Sequence, residues 1–155
     1  MTDKKNARFA ALVMGASAAI VINATPSAAQ AVASQVQTSI VRKFPICKGS
    51  KRVTCIVDGD TIWLDGVKIR VADIDTPEIG NPKCQSERKL GLQAKDRLRV
   101  LLNSGPFDLH AWENRDEDQY GRKLRVLVRD GRSIGDQLVE EGLARTWSGR
   151  REPWC

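Results

Sequence analysis

The sequence predicts an α+β domain, mainly β, in which five short strands form a small barrel and two helices of modest length pack against it. Three observations carry this. Asp65-Gly66 is a two-residue turn between apolar-rich runs, the strongest short-range hairpin signal. Leu90, Ala94, Leu98, Leu101 and Leu102 recur near the helical period. Further on, two strand-like runs lead to an Asp130-Gly131 turn and one more short helical stretch.

The elements follow in order. Residues 30–45 read as a flexible, exposed leader, and 46–155 as the domain. Val53 to Val57, Thr61 to Leu64 and Val67 to Ile74 form an antiparallel meander. Ser86 to Leu102 is helical, with Asn103-Ser104-Gly105 as its stop. Phe107 to Trp112 and Leu124 to Arg129 are strands. Ser133 caps a helix from Ile134 to Glu141 that Gly142 closes. There is no internal repeat.

The hairpin register has chemical consequences. In a simple two-residue hairpin Leu64 faces Val67, Thr61 faces Arg70 and Asp60 faces Val71. Arg70 then lies diagonally within reach of Asp60. Beyond Asp75, Thr76-Pro77 turns the chain out of the sheet, and Pro77 keeps Thr76 extended with its carbonyl free to face a ligand. Asp60, Arg70, Asp75 and Glu78 therefore gather at one end of one hairpin. With the later Asp118-Gln-Tyr-Gly-Arg122, the sequence holds acids and arginines in the proportions that phosphodiester hydrolysis needs. Hard oxygen ligands suit Ca²⁺ or Mg²⁺. Glu78 can direct a water, and Arg70 and Arg122 can fork onto a phosphate and neutralise the charge that grows in the transition state. Alone, Asp58-Gly59-Asp60 would be no more than a turn, and Arg70 no more than the partner of an internal ion pair.

Jointly these segments resemble the staphylococcal nuclease (thermonuclease) family. Its Asp-Gly-Asp-Thr turn is Asp58-Gly-Asp60-Thr61, its Arg-x4-Asp-Thr-Pro-Glu segment is Arg70 to Glu78, and its Tyr-Gly-Arg is Tyr120-Gly-Arg122. Gly131 to Arg145 resembles its second helix, and the likeness covers roughly residues 52–147. The resemblance implies an OB-fold and a Ca²⁺-dependent nuclease acting on DNA, and on RNA as a further substrate, with little sequence preference. It implies attack on phosphorus on the P–O5′ side, leaving 3′-phosphates. Asp60, Asp75 and the Thr76 carbonyl would hold the metal, Arg70, Glu78 and Arg122 would serve catalysis, and Tyr120 would lie beside the bound phosphate. The alternative is a non-catalytic nucleic-acid-binding OB-fold module. The family's lysine and paired tyrosines of the nucleotide pocket have no counterpart here, and its third helix has none either; Trp147, Arg150, Arg151 or Trp154 are candidates for stacking and phosphate contacts.

The amino terminus carries a second message. Lys4, Lys5 and Arg8 precede a 14-residue apolar run from Phe9 to Ile22 and then small residues. That is the plan of a bacterial-type secretory signal, 1–29, with cleavage after Ala29, Ala31 or Ala33, or else an uncleaved anchor. The run falls short of the ~20 residues that span a bilayer. Without residues 1–29, 22 Lys and Arg face 18 Asp and Glu, a net +4 that suits a polyanion. The product would be periplasmic or secreted, monomeric and free of the membrane. Four cysteines in an exported chain point to disulfides, with Cys47–Cys55 and Cys84–Cys155 the favoured pairing and a zinc site the rival. Asp116-x-Asp118-x-Tyr120-Gly121 mimics an EF-hand loop but has Leu127 at the twelfth position. His110, the one histidine, sits in a strand-like run and completes no hydrolase triad.

Overall fold

Positive φ at both Asp65 (47°) and Gly66 (86°) makes the hairpin turn type I′, the geometry that matches the twist of the strands it joins. In the computed structural model, which describes residues 39–155, that turn links β2 (Thr61–Leu64) to β3 (Val67–Val71). Leu64 stands opposite Val67 and Thr61 opposite Arg70, the register read from the sequence. The Val71 N–H donates to the Asp60 carbonyl at 2.8 Å, so the pairing reaches the acid. The expected signal segment, 1–29, and residues 30–38 of the leader lie outside the described residues.

Strand β1 (Cys55–Asp58) pairs with β2, with an irregularity between Ile56 and Asp58. On its other side β3 runs parallel to β6 (Lys123–Arg129), and β6 pairs antiparallel with β5 (Asp108–Ala111) and with the short β7 (Arg132–Ser133). The path through the sheet is β1-β2-β3-β6-β5. Two sequence expectations need correction. The long strand Val67 to Ile74 is broken: β3 stops at Val71, and β4 (Ile74–Asp75) pairs with β8 (Arg145–Thr146) in a separate two-stranded sheet. The break sits at Ala72-Asp73, where the Asp73 carboxylate accepts a 2.5 Å hydrogen bond from Ser133 Oγ and the Asp73 carbonyl accepts from Trp147 N–H. Nor is the chain loose up to residue 45. Ile40 N–H bonds the Phe107 carbonyl, Cys47 N–H bonds the Ile56 carbonyl, and the segment between them runs from one end of the sheet path to the other. Phe44 is 1% exposed, its ring 5.6 Å from that of Phe107, because an aromatic of that size is more stable in the core than in water.

Helix α1 (Gln85–Asn103) buries Glu87, Gly91, Ala94, Leu98 and Leu101, a single stripe at alternating spacings of four and three. Leu90, read as part of that stripe, is half-buried at its margin. Two small residues on the stripe matter for the site. A Cβ on Gly91 would stand 2.5 Å from the Pro77 carbonyl oxygen, and one on Gly59 would stand 2.8 Å from the Ala94 Cβ. The helix therefore lies directly on the backbone of both acid-bearing loops. Helix α2 (Ile134–Glu140) starts at Ser133, whose Oγ accepts from the Gly135 and Asp136 N–H groups. The two helices are joined by a forked ion pair in which Arg97 Nε and Nη2 each donate to Glu141 at 2.7 Å. Both favoured disulfides are formed, Cys47–Cys55 and Cys84–Cys155. The second closes a span of 71 residues, a loop for which chain entropy predicts about 4 kcal/mol. Among the described residues no helix is long and apolar enough to cross a membrane.

Two predictions follow from this packing. Helix propensity alone would have Gly91→Ala stabilise α1 by roughly 1 kcal/mol; the contact with Pro77 reverses the sign, so urea denaturation should give a lower midpoint for the variant. The hydrogen bonds from Arg97 lower the Glu141 pKa from its ordinary 4.5. The pair's contribution is thus present above that ordinary value and lost as the pH falls through the lowered one. Arg97→Ala should cost about 0.5–1 kcal/mol at neutral pH, and the difference from the parent should shrink steadily below pH 4.5 in the same denaturation experiment.

Candidate functional site

The start of β2, the segment Thr76-Pro77-Glu78, the turn before β6 and the carboxy-terminal tail meet around a cleft of about 110 Å³. Asp58, Asp60, Thr61, Thr76, Pro77, Glu78, Arg122 and Arg151 line it. Register alone places its central pair. Arg70, 6% exposed, points inward from β3, and its Nη2 lies 3.2 Å from Asp60 Oδ2 and 3.8 Å from Asp75 Oδ1. Its Nη1 donates to the Val71 carbonyl. Asp60 and Asp75 are each 3% exposed. Charges so buried persist only when paired and hydrogen-bonded. Asp60 also accepts from Thr61 Oγ1 at 2.9 Å and from Thr76 N–H at 3.3 Å.

The neighbouring acids differ in their ionisation. Burial acts to raise the pKa of Asp60, but Arg70 and the hydrogen bonds outweigh it and hold the carboxyl below the ordinary value. Asp58, two residues away, is pushed up to about 7, first by burial and then by the charge on Asp60. Burial also raises Asp75, against the pull of Arg151. Asp75 Oδ2 accepts from Trp154 Nε1 at 3.3 Å, whereas Oδ1 accepts no hydrogen bond and is held only by charge, with Arg151 Nε at 3.4 Å.

Glu78 is positioned from behind. Its backbone N–H donates to Glu87 Oε1 at 3.3 Å, and Lys83 N–H donates to Glu87 Oε2 at 2.5 Å. One buried carboxylate on α1 thus fastens both ends of the loop that carries Glu78. The Glu78 side chain is half-exposed and holds Arg151 Nη1 on its Oε1. Arg122 is set by Asp118: Oδ2 takes the Arg122 Nε–H at 2.6 Å, while Oδ1 takes the Tyr120 and Arg122 backbone N–H groups. Asp118 is therefore fully used in the turn, which disposes of the EF-hand likeness on structural grounds as well. Arg122 Nη1 reaches toward Thr61 Oγ1 at 3.5 Å.

Asp60, Arg70, Asp75, Thr76, Glu78 and Arg122 are thus brought together as expected. Tyr120 stands apart from the cleft, 74% exposed, with its ring 5.5 Å from the Arg122 guanidinium. It lies on a wider groove of about 420 Å³ beside the cleft, with Trp112, Arg115, Trp147 and Arg151. Sequence reasoning missed Glu87, Gly91, Asp118 and Trp112. Glu87 left a trace, as an acid one turn before Gly91 on the apolar stripe of α1, and Asp118 left one in its four-residue spacing from Arg122.

No three His, Cys, Asp or Glu side chains form a metal cluster among the described residues. The donors that a hard cation would use are Asp60, Asp75 and the Thr76 carbonyl, all oxygens. They fit such an ion, because Asp75 Oδ1 is a buried carboxylate oxygen with no hydrogen bond of its own.

The pattern of the family described as staphylococcal nuclease homologue matches residues 68–153. Over 118 residues the chain is 34% identical to Endonuclease YncB of Bacillus subtilis (strain 168), covering 70% of this chain and 56% of that protein. It is 38% identical over 93 residues to the SPbeta prophage-derived endonuclease YokF of the same strain, 57% of this chain and 31% of the relative. The Thermonuclease of Staphylococcus hyicus is 30% identical over 98 residues, 61% of this chain and 57% of that one. The chain thus spans between about a third and just over half of the length of these relatives. The matched stretch holds β3 to β8 and both helices, more than half of the chain, and by it the chain belongs to the staphylococcal nuclease homologues, with the α+β OB-class fold of that family.

Proposed function

We propose that the chain is an exported Ca²⁺-dependent nuclease that hydrolyses DNA, and RNA as a further substrate, with little sequence specificity and leaves 3′-phosphates. One observation carries the reading: Asp60, a half-exposed Glu78 and Arg122 line one cleft, Arg70 and Asp75 are buried against Asp60, and the cleft shares Arg122 and Arg151 with a basic, aromatic groove. Endonuclease and thermonuclease relatives support it. The two disulfides support maturation in an oxidising compartment, periplasmic or extracellular. A monomer suffices for the chemistry, since every group named belongs to one chain.

In this mechanism Asp60, Asp75 and the Thr76 carbonyl would hold the cation, which would supply positive charge toward the phosphate. Glu78 accepts a proton from a water aimed at phosphorus. Arg122 and Arg70 face the equatorial oxygens, and their charge matters most as the pentacoordinate transition state gains negative charge. The P–O5′ bond breaks, the 5′ oxygen leaves and takes a proton from solvent, and the phosphate stays on the 3′ side. Asp118 keeps the Arg122 fork in place and pays no part of the transition-state charge. The groove, with Trp112, Tyr120 and Trp147, offers stacking faces that every base can use, which agrees with low sequence preference.

The test is cleavage of plasmid and single-stranded DNA by the oxidised protein with Ca²⁺ or with chelator. Cleavage is expected to stop on chelation and return with Ca²⁺. Arg122→Ala is expected to lower kcat by roughly 10²–10³, the loss typical of a transition-state donor, and Arg122→Lys to recover little because a point charge cannot replace the fork. Glu78→Gln is expected to lose about 10²–10⁴. A folded protein that binds DNA and cuts nothing under any divalent cation would overturn the reading in favour of a binding module.

A further inference from the structure

Beyond β8 the chain doubles back over the acid cleft and is pinned along its length. The Arg145 guanidinium lies 3.8 Å from the Trp154 ring centre and donates to the Pro153 carbonyl at 3.0 Å. Trp154 Nε1 bonds Asp75 Oδ2, and Cys155 is joined to Cys84 at the start of α1. Between these anchors the tail presents Arg151. Its Nε lies 3.4 Å from Asp75 and its Nη1 touches Glu78, yet the side chain remains 44% exposed. Arg151 lines both the cleft and the wider groove, a position it shares only with Arg122 among the lining residues. Its neighbour Arg150 is instead 81% exposed and paired with Glu152 at 2.6 Å.

We infer that Arg151 is a third substrate-gripping arginine, binding a backbone phosphate beside the scissile one, and that the Cys84–Cys155 disulfide holds it there. This rests on the nuclease reading for the identity of the substrate. A guanidinium fork takes two phosphate oxygens as it takes two carboxylate oxygens. On arrival of the strand Arg151 exchanges Glu78 and Asp75 for phosphate, which leaves the Glu78 carboxylate free for water. In the free protein the same contact occupies Glu78 Oε1. The arginine that receives the substrate is thus also the resting partner of the water-directing acid. The disulfide adds the last of the tail's anchors, fixing Cys155 to the start of α1 directly after Trp154, which is bonded to Asp75.

The experiment uses the full oxidised protein, Arg151→Ala, Arg151→Lys, the double variant Cys84→Ala/Cys155→Ala, and that double variant carrying Arg151→Ala. The Kd for a fluorescent single-stranded DNA is measured in chelator at several salt concentrations; KM and kcat are measured with Ca²⁺, and the thermal midpoint is recorded. Arg151→Ala is expected to raise Kd and KM about tenfold, the worth of one charge-assisted phosphate contact. The salt slope should become shallower by about 0.7, one phosphate fewer on a single strand. Arg151→Lys should recover part of the affinity. The double cysteine variant should show a similar rise in KM, and adding Arg151→Ala to it should change little more. Unchanged Kd and salt slope in Arg151→Ala overturn the proposal, as does a loss confined to kcat or to the thermal midpoint. Should the parent fail to cut DNA at all, the nuclease reading falls, while Kd and salt slope in chelator still decide the role of Arg151.

Discussion

The buried contact of Arg70 with Asp60 and Asp75 is the constraint on which the rest of the site depends. Three ionisable groups, none more than 6% exposed, sit where water cannot screen or solvate them. Removing Arg70 leaves two buried carboxylates without their shared cation, a loss of roughly 3–5 kcal/mol, although the intact set need not add net stability over an apolar equivalent. What the contact supplies is position. The type I′ turn puts Arg70 opposite Thr61, next to Asp60; Asp75 must then approach the same guanidinium, and it arrives there because the strand breaks after Val71 and resumes at Ile74. Thr76 follows immediately and its N–H closes on Asp60, so the loop that carries Glu78 leaves the sheet from a fixed point.

That loop also needs a floor, and α1 provides it through what its side chains lack. Gly91 and Ala94 let the helix touch the backbone at Pro77 and the turn at Gly59, while Glu87 binds the loop's N–H groups from below. A helix with larger residues at those two places could bury as much apolar area and still hold Glu78 elsewhere. The face of α1 is thus shaped for the site as much as for the core.

These two layers were unequally legible in the sequence. The hairpin register, the two helices and the gathering of Asp60, Arg70, Asp75 and Glu78 all follow from local signals: a two-residue turn, a period, a cap, a proline. The break at Ala72-Asp73 did not, because Val67 to Ile74 carries strand-like residues throughout, and what ends β3 is a hydrogen bond from Ser133, 60 residues away. Within the leader the burial of Phe44 escaped the sequence reading because it depends on Phe107, which pattern reading cannot pair with it. Glu87 went unmarked because its partners are backbone N–H groups that no composition reveals. The tail was legible only as a set of candidates. Arg151 is set apart from Arg150 by its meeting with Glu78, at a separation of 73 residues.

The arginines of the site differ in what holds them, and that difference assigns their work. Arg70 is buried between acids inside the fold, so its charge is fixed whether or not substrate is present. Arg122 is held by Asp118 from outside the cleft: the Nε edge is engaged and the Nη groups are left facing Thr61 and the cleft. Such a buttress orients the fork before substrate arrives, and donors oriented in advance cost no reorganisation at the moment of reaction. Arg151 is held by Asp75 and Glu78, acids that belong to the cleft itself, so its resting partners are groups the reaction needs free. An arginine gripped from behind suits the transition state, and one gripped from in front suits a contact that forms on binding. By that criterion the proposed mechanism gives Arg122 to the chemical step and Arg151 to capture of the strand.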